Sequence, residues 1–161
     1  MKTRFILLLC LSSFLAQANV RLPKLFSDGM VLQQNTNVNI WGWADPGEEV
    51  KVIASWNPKD TLKVKGSRYA KWKLELPTPK AGGPYTITFL GYNSIHLTDV
   101  LIGEVWLASG QSNMEWSASA GIKNQEEAIQ NSTYKNIRFF DVPKTSAEFP
   151  QQNVDGKWVE S

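Results

Sequence analysis

The stretch Trp72-Lys73-Leu74-Glu75-Leu76 alternates apolar and polar side chains without a break. Because successive side chains of a strand point to opposite faces, this pattern predicts a strand with one face in a core and the other in water. The separators on either side are rich in Pro, Gly, Asn and Asp, which form turns. Similar alternation recurs outward along the chain, at residues 38–43, 50–54, 62–65, 85–89 and 95–98.

Strands that begin at this regular spacing, with turns between them, are typical of an all-β sandwich or barrel. We therefore expect a sandwich-like β-domain over residues 19–98. Of the tryptophans, four lie in predicted strands and are expected in the core: Trp41, Trp43, Trp72 and Trp106.

The pattern changes after Asp99. Residues 100–102 and 105–108 are apolar on both faces, which is typical of strands that are covered on both sides. A helix is expected next, because Asn124 and Glu127 have the spacing of a capping box.

Residues 137–142 then predict another strand, which Pro143 stops. Strand, helix and strand in this order predict the opening unit of a parallel α/β sheet. About 60 residues are too few to complete a doubly wound sheet. We therefore expect residues 99–161 to be the truncated start of an α/β domain.

Residues 1–18 have the composition of a secretory signal peptide. Lys2 and Arg4 precede an apolar run at residues 5–15, and Ala16-Gln17-Ala18 supplies the small residues that a signal peptidase reads. The apolar run is too short for a stable membrane anchor. We expect cleavage after Ala18, a secreted or periplasmic location, and no membrane association afterwards.

The only cysteine, Cys10, lies in this leader. A lipoprotein signal stays open as an alternative, although Leu9 is bulky where such a signal needs a small residue. Removing Lys2 and Arg4 lowers the 17 basic residues to 15, which equals the number of acidic residues. A neutral chain without a basic patch gives no reason to expect a nucleic-acid partner. One histidine and scattered acids do not make a metal site, so we expect no metal or cofactor.

The residues with candidate chemistry are Gly110-Gln111-Ser112-Asn113-Met114. Gly110 allows a tight turn at the end of a strand, and Ser112 then stands at or near the first helical position. Unpaired backbone N–H groups there can stabilise the oxyanion that forms when a serine attacks an ester carbonyl. Gly-x-Ser alone is a weak pattern, so a Ser112 that merely caps a helix remains an alternative.

The longer string at residues 104–114 resembles the first motif block of the SGNH (GDSL-like) hydrolases, in the version of the secreted sialate O-acetylesterases. Residues 25–34 and 40–48 resemble the β-domain that precedes the esterase domain in those proteins. The resemblance implies a flavodoxin-like α/β catalytic domain and a serine esterase that removes acetyl groups from O-acetylated sialic acids or related glycans. It also implies that Ser112 is the nucleophile.

The same resemblance implies a histidine, an aspartate and further oxyanion donors from later motif blocks. None of these can be placed on residues 117–161. We therefore expect this chain to be an N-terminal fragment that is inactive alone. His96 is not expected to replace the missing base, because residues three apart on a strand point to opposite faces and Asp99 cannot orient it.

Two neighbours of Ser112 are candidate oxyanion or substrate residues. Glu115 could orient a substrate hydroxyl, or it is an ordinary acid of a first helical turn. Trp116 and Trp56 are candidates for exposed contact with a sugar ring, whereas Ser109 is expected to pack at a strand end.

Two other functions remain open. The β-domain could be a non-catalytic module that binds a glycan or a partner, with Ser112 inert. It could also be purely structural and shield one wall of the esterase site. An exposed apolar flank along residues 99–161 would favour the structural role.

Overall fold

The structure is a computed structural model that describes residues 19–161, apart from the side chain of Glu115. The predicted signal peptide, residues 1–18, lies outside the described residues. Within them, residues 31–103 form seven strands. These are β1 (Val31–Gln33), β2 (Asn37–Trp43), β3 (Glu49–Ala54), β4 (Thr61–Lys65), β5 (Lys71–Pro77), β6 (Gly82–Leu90) and β7 (Ser94–Gly103).

The seven strands form two sheets. A five-stranded sheet has the order β1-β7-β6-β3-β4, and a two-stranded sheet pairs β2 with β5. Neighbouring strands are antiparallel except β1, which runs parallel to β7 with Val31 opposite Leu101 and Gln33 opposite Gly103. All six strands predicted from alternation are present, and each extends beyond its predicted bounds. The short strand β1 was not predicted, because three residues are too few to show alternation.

The two sheets share one apolar core. The buried alternate residues of the strands, Ile40, Val50, Val52, Trp72, Leu76, Ile87 and Phe89, form a single cluster. Trp72 of the two-stranded sheet packs against Phe89 of the five-stranded sheet, with ring centroids 5.9 Å apart. Full burial of side chains of this size contributes about 1.5–3 kcal/mol each. The alternating pattern therefore predicted the burial of Trp72 correctly. Trp41 and Trp43 were also expected in the core, but they are only half-buried, because Ile40 and Gly42 are the residues of β2 that face inward.

A buried carboxylate fixes one end of this core. Glu48 is 2% exposed and accepts two backbone hydrogen bonds. Asp45 N–H donates to Oε2 at 2.8 Å, and Tyr92 N–H donates to Oε1 at 2.7 Å. The turn before β3 is thereby joined to the loop between β6 and β7. Gly91 is required there, since a Cβ would lie 2.3 Å from Glu48 Oε1.

Replacing Glu48 with glutamine tests whether its carboxylate stabilises the contact between these two turns. The substitution removes one acceptor oxygen and turns an amide N–H₂ toward a backbone N–H donor. We expect the free energy of unfolding, measured by urea denaturation at neutral pH, to fall by about 2–3 kcal/mol. Glu49→Gln is the matched control, because Glu49 is exposed and its carboxylate lies 3.6 Å from the Lys51 ammonium group. Its cost should stay below about 1 kcal/mol. Equal losses in the two variants would contradict the role of Glu48.

Strand β7 continues through the position at which the sequence pattern changes. It runs from Ser94 to Gly103, so the expected boundary between residues 98 and 99 falls inside one strand. Asp99 sits there with a φ of 55°, in the left-handed region. The division into domains 19–98 and 99–161 stays a prediction.

The predicted strand at residues 105–108 is wrong for this structure. The segment has no strand pairing, and Trp106 and Leu107 are 86% and 93% exposed. The physical reason is that none of the described strands lies beside it to pair with its backbone or cover its two apolar faces. Trp106 is consequently a surface residue and not the core residue that was expected.

Short elements follow. Two 3₁₀ helices span Ser112–Glu115 and Ala118–Ala120, and helix α1 spans Gln125–Gln130. The helix expected after Asn124 is present, but its capping box is not formed. Asn124 is in the left-handed conformation and makes no side-chain cap hydrogen bond.

The predicted parallel strand-helix-strand unit is also wrong for this structure. Strand β8 (Arg138–Phe140) pairs antiparallel with β9 (Trp158–Glu160) and does not lie beside residues 105–108. Antiparallel pairing with β9 satisfies backbone groups of β8, since no strand at residues 105–108 offers a parallel edge.

The β8-β9 pair is fastened to the β-domain. The Arg138 side chain is 5% exposed, and its guanidinium donates to Gly29 O at 2.8 Å and to Asp99 Oδ1 at 2.9 Å. Trp158 Nε1–H donates to Leu25 O at 2.9 Å. Charged hydrogen bonds of a buried guanidinium are among the stronger polar contacts in proteins. The end of the described chain therefore returns to residues 25–29 and to the middle of β7.

Candidate functional site

Ser112 is the first residue of the first 3₁₀ helix. The preceding residue, Gln111, is extended, and its carbonyl accepts a hydrogen bond from Met114 N–H at 2.9 Å, which closes the first turn. The Ser112 side chain is exposed, and its Oγ has no hydrogen-bond partner among the described side chains. The hydroxyl is thus accessible at the position where the sequence predicted a helix start.

The backbone at this turn presents free donors. Within the described part of the chain, no carbonyl accepts the N–H groups of Ser112 and Asn113. The first N–H groups of a helix have no partner inside the helix, so this is the expected state of its first residues. A hydroxyl beside two unpaired amide donors has the components that an acyl-transfer site needs, a nucleophile and a place for a negative oxygen.

Gly110 has a different role from the one that the sequence suggested. It does not adopt a left-handed conformation, so the turn does not depend on that freedom. A Cβ at position 110 would instead lie 2.7 Å from Met114 Cγ. Glycine at this position therefore leaves room for the Met114 side chain, which packs close to residue 110 in the turn that carries Ser112.

His96 lies on β7 and is exposed. Its Nδ1 is 2.9 Å from Thr88 Oγ1, on the neighbouring strand β6. Asp99, which the sequence placed on the opposite face, is paired with Arg138. The two residues thus have separate partners and do not form an acid–histidine pair.

The other predicted site residues are dispersed. Trp116 is 65% exposed, and its indole N–H donates to Ala120 O at 3.1 Å. Ser109 was expected to pack at a strand end but is exposed in the unpaired segment. Trp56, expected to be exposed for sugar contact, is half-buried, with its indole N–H on Pro77 O at 3.1 Å. The side chain of Glu115 lies outside the described residues.

An apolar surface follows the β-domain. Among the described residues, the large apolar side chains that are exposed lie after Glu104, with the exceptions of Tyr69 and Tyr92. They include Val105, Trp106, Leu107, Met114 and Trp116, which flank Ser112 in sequence. A contiguous patch of exposed apolar residues marks a surface that binds another polypeptide, a membrane or a ligand.

A polar cluster at the start of this segment was missed by the reasoning from sequence. The Glu104 carboxylate accepts hydrogen bonds from Gln33 Nε2 at 2.9 Å and Gln34 Nε2 at 2.7 Å. Gln33 Oε1 also accepts a hydrogen bond from Val105 N–H at 2.9 Å. These partners are about 70 residues apart in the chain, so no local spacing could reveal them.

The cluster predicts a pH dependence. The amide donors of Gln33, and then of Gln34, lower the pKa of the Glu104 carboxyl below its usual range, which outweighs a small opposing effect of desolvation. Because the folded-state pKa is the lower one, these bonds stabilise the fold above the unfolded pKa, and their contribution disappears as pH falls through the folded pKa. We expect the side-chain amide NMR signals of both glutamines to shift together as pH falls, at a pH lower than that at which an ordinary glutamate carboxyl titrates.

Glu104→Gln is the control for this titration, since it removes the ionisable group and should leave the glutamine signals flat over the same pH range. A Glu104 carboxyl that titrates at or above the value of a free glutamate peptide would contradict the hydrogen-bonded cluster.

Residues 19–161 offer neither a metal cluster nor a membrane-spanning helix. No group of three or more His, Cys, Asp or Glu side chains is arranged there to hold a metal ion. None of the helices in this range has the length and hydropathy of a membrane-spanning segment.

Comparison with known proteins shows that this chain is similar to part of a carbohydrate acetylesterase of known structure. The crystal structure of a carbohydrate acetylesterase from Xanthomonas citri matches 88% of this chain with a TM-score of 0.80 and 34% sequence identity. The match spans 32% of that enzyme. No protein-family model matches the chain.

Curated relatives define the resemblance more narrowly. Sialate O-acetylesterases from Rattus norvegicus, Pongo abelii and Homo sapiens are 32%, 31% and 30% identical to it, over 84%, 86% and 86% of this chain. The chain spans 27–29% of the length of these relatives. The resemblance to sialate O-acetylesterases that the sequence predicted is therefore confirmed.

Proposed function

We propose that this chain is the N-terminal part of a carbohydrate O-acetylesterase in which Ser112 is the nucleophile. The observation that carries the proposal is the exposed Ser112 hydroxyl at a turn whose first two amides have no acceptor within the described chain. The names of the similar proteins support the class of reaction, because all of them are acetylesterases.

The proposed reaction is a two-step acyl transfer. Ser112 Oγ attacks the acetyl carbonyl carbon, its proton passes to a base, and the carbonyl oxygen becomes an oxyanion beside the amides of Ser112 and Asn113. The bond between the acetyl carbon and the sugar oxygen then breaks, and the sugar alcohol leaves with a proton. Water attacks the acetyl-serine, releases acetate and restores the hydroxyl.

The substrate that we propose is an O-acetylated sialic acid or a related acetylated glycan. The curated relatives support this substrate, since they are named for sialate esters. We further propose that the protein acts outside the cytoplasm, secreted or periplasmic. This part of the proposal rests on the charge and hydropathy pattern of residues 1–18.

We also propose that this chain alone is inactive. His96, the only histidine in the sequence, contacts Thr88 on β6 and has no carboxylate partner among the described residues. The exposed apolar side chains around Trp106 and Leu107 support the proposal that further polypeptide covers this segment in the complete enzyme. In this arrangement the β-domain has a structural role toward the esterase site.

Hydrolysis of p-nitrophenyl acetate by the purified chain tests the inactivity. Loss of the base from a serine triad lowers the rate by about 10⁴–10⁶. We therefore expect turnover close to the spontaneous rate, identical for the chain and for its Ser112→Ala variant. Rapid turnover that Ser112→Ala abolishes would refute the inactivity while keeping the nucleophile.

A chimera tests the nucleophile itself. This chain replaces the segment that it matches in the Xanthomonas citri enzyme, and the chimera is assayed on acetylated sugars. We expect Ser112→Ala to lower kcat by about 10⁴-fold or more. Ser109→Ala, an exposed serine three residues earlier, is the matched control and should retain activity within a few fold. A Ser112→Ala chimera as active as the Ser109→Ala chimera would disprove the proposed role.

A further inference from the structure

We propose that Gln33 is a positioning residue for Ser112. Its side chain binds Glu104 and Val105, the residues at which the chain leaves β7, and so sets the direction of the segment that leads to Ser112. The inference deepens the proposed function and rests on it, because Ser112 matters here as the nucleophile. It gives the β-domain a defined role, since this domain then sets the direction of the segment that carries the reactive hydroxyl.

The Gln33 side chain contacts two consecutive residues with its two polar atoms. Its Nε2 donates to Glu104 Oε2 at 2.9 Å, and its Oε1 accepts from Val105 N–H at 2.9 Å. Gln34 binds the same two residues at the end of β7: its backbone N–H donates to Gly103 O at 2.8 Å, and its Nε2 donates to the second Glu104 oxygen. Both carboxylate oxygens and the next backbone amide are therefore occupied.

Gln33 is itself connected by hydrogen bonds to strands of the β-domain. Gln33 ends β1 and lies opposite Gly103 in the parallel pairing with β7. Its backbone carbonyl accepts a hydrogen bond from Thr78 Oγ1 at 2.7 Å. Thr78 is buried and directly follows β5 of the other sheet. A continuous series of contacts thus connects both sheets with Val105.

The segment beyond Val105 has few other constraints. Residues 106–110 are exposed and have no strand pairing. The next backbone hydrogen bond, from Met114 N–H to Gln111 O, is local and does not connect the segment to the β-domain. The exit direction set at residues 104 and 105 therefore determines where the segment starts toward Ser112. A displacement of about 1 Å at a reacting group can cost about 100-fold in rate.

A spin label at position 112 tests the inference directly. The full chain carries Cys10→Ser and Ser112→Cys, so that a nitroxide reports the mobility of one site. We expect Gln33→Met, which keeps side-chain length and loses both hydrogen bonds, to sharpen the spectrum. We also expect amide exchange at Val105 to become about fivefold faster, since one hydrogen bond is worth about 1 kcal/mol. Gln151→Met, an exposed glutamine in the last part of the chain, should change neither.

Exchanging the residues at positions 33 and 104 should restore the immobilised state of the label. Gln33→Glu keeps an acceptor for Val105 but sets two carboxylates against each other, and it should mobilise the label. Adding Glu104→Gln restores one donor and one acceptor and should return the spectrum toward that of the parent. An unchanged spectrum in Gln33→Met, or a double variant as mobile as Gln33→Glu alone, would overturn the inference.

The chimera connects position to catalysis. Gln33→Met should lower its kcat about tenfold with little change in KM, because the loss concerns the nucleophile and not substrate binding. An unchanged kcat would overturn the positioning role. The failures are distinguishable, because an inert Ser112 shows in the Ser112→Ala chimera, whereas the spin-label spectra do not depend on esterase activity.

Discussion

The pairing of residues 28–34 along β7 is the constraint on which most of this structure depends. Asp28 accepts hydrogen bonds from the Thr98 backbone and hydroxyl, Leu101 N–H donates to Met30 O, and β1 then continues the parallel ladder to Gly103. This ladder places a segment near the start of the described chain beside the exit toward Ser112. The Arg138 guanidinium also binds these two segments, through Gly29 O and the Asp99 carboxylate.

Polar contacts with long sequence separation organise the parts that the apolar core does not reach. Glu48 joins two turns at one end of the sheets, and Glu104 joins β1 to the segment at the other end. Glu48 is buried, and its carboxylate is bound by backbone donors, so its desolvation is compensated. Glu104 lies at the surface and is bound by glutamine side chains. Glu48 thus binds irregular backbone directly, whereas Glu104 binds Gln33, which in turn binds the backbone of Val105.

The sequence predicted the β-strands well because alternation reports burial directly. Trp72 was predicted to be a core residue from its place in an alternating strand, and the structure packs it against Phe89. The same reasoning failed at Trp106 and Leu107. An apolar run indicates that a segment needs to be covered, but it does not identify the element that covers it. Ser112 was predicted from its motif, and its role as the nucleophile stays a prediction. The Gln33–Glu104 contact was not predicted, because no local pattern connects residues that only the fold brings together.

The two attachments on β7 have a practical meaning for protein engineering. The chain leaves the strand at Gly103, and Arg138 brings it back to Asp99 on the same strand. Residues 104–137 therefore begin and end beside the same strand. A variant that exchanges this segment with that of a related protein should keep both attachments, the end of β7 at Gly103 and the Arg138–Asp99 pair.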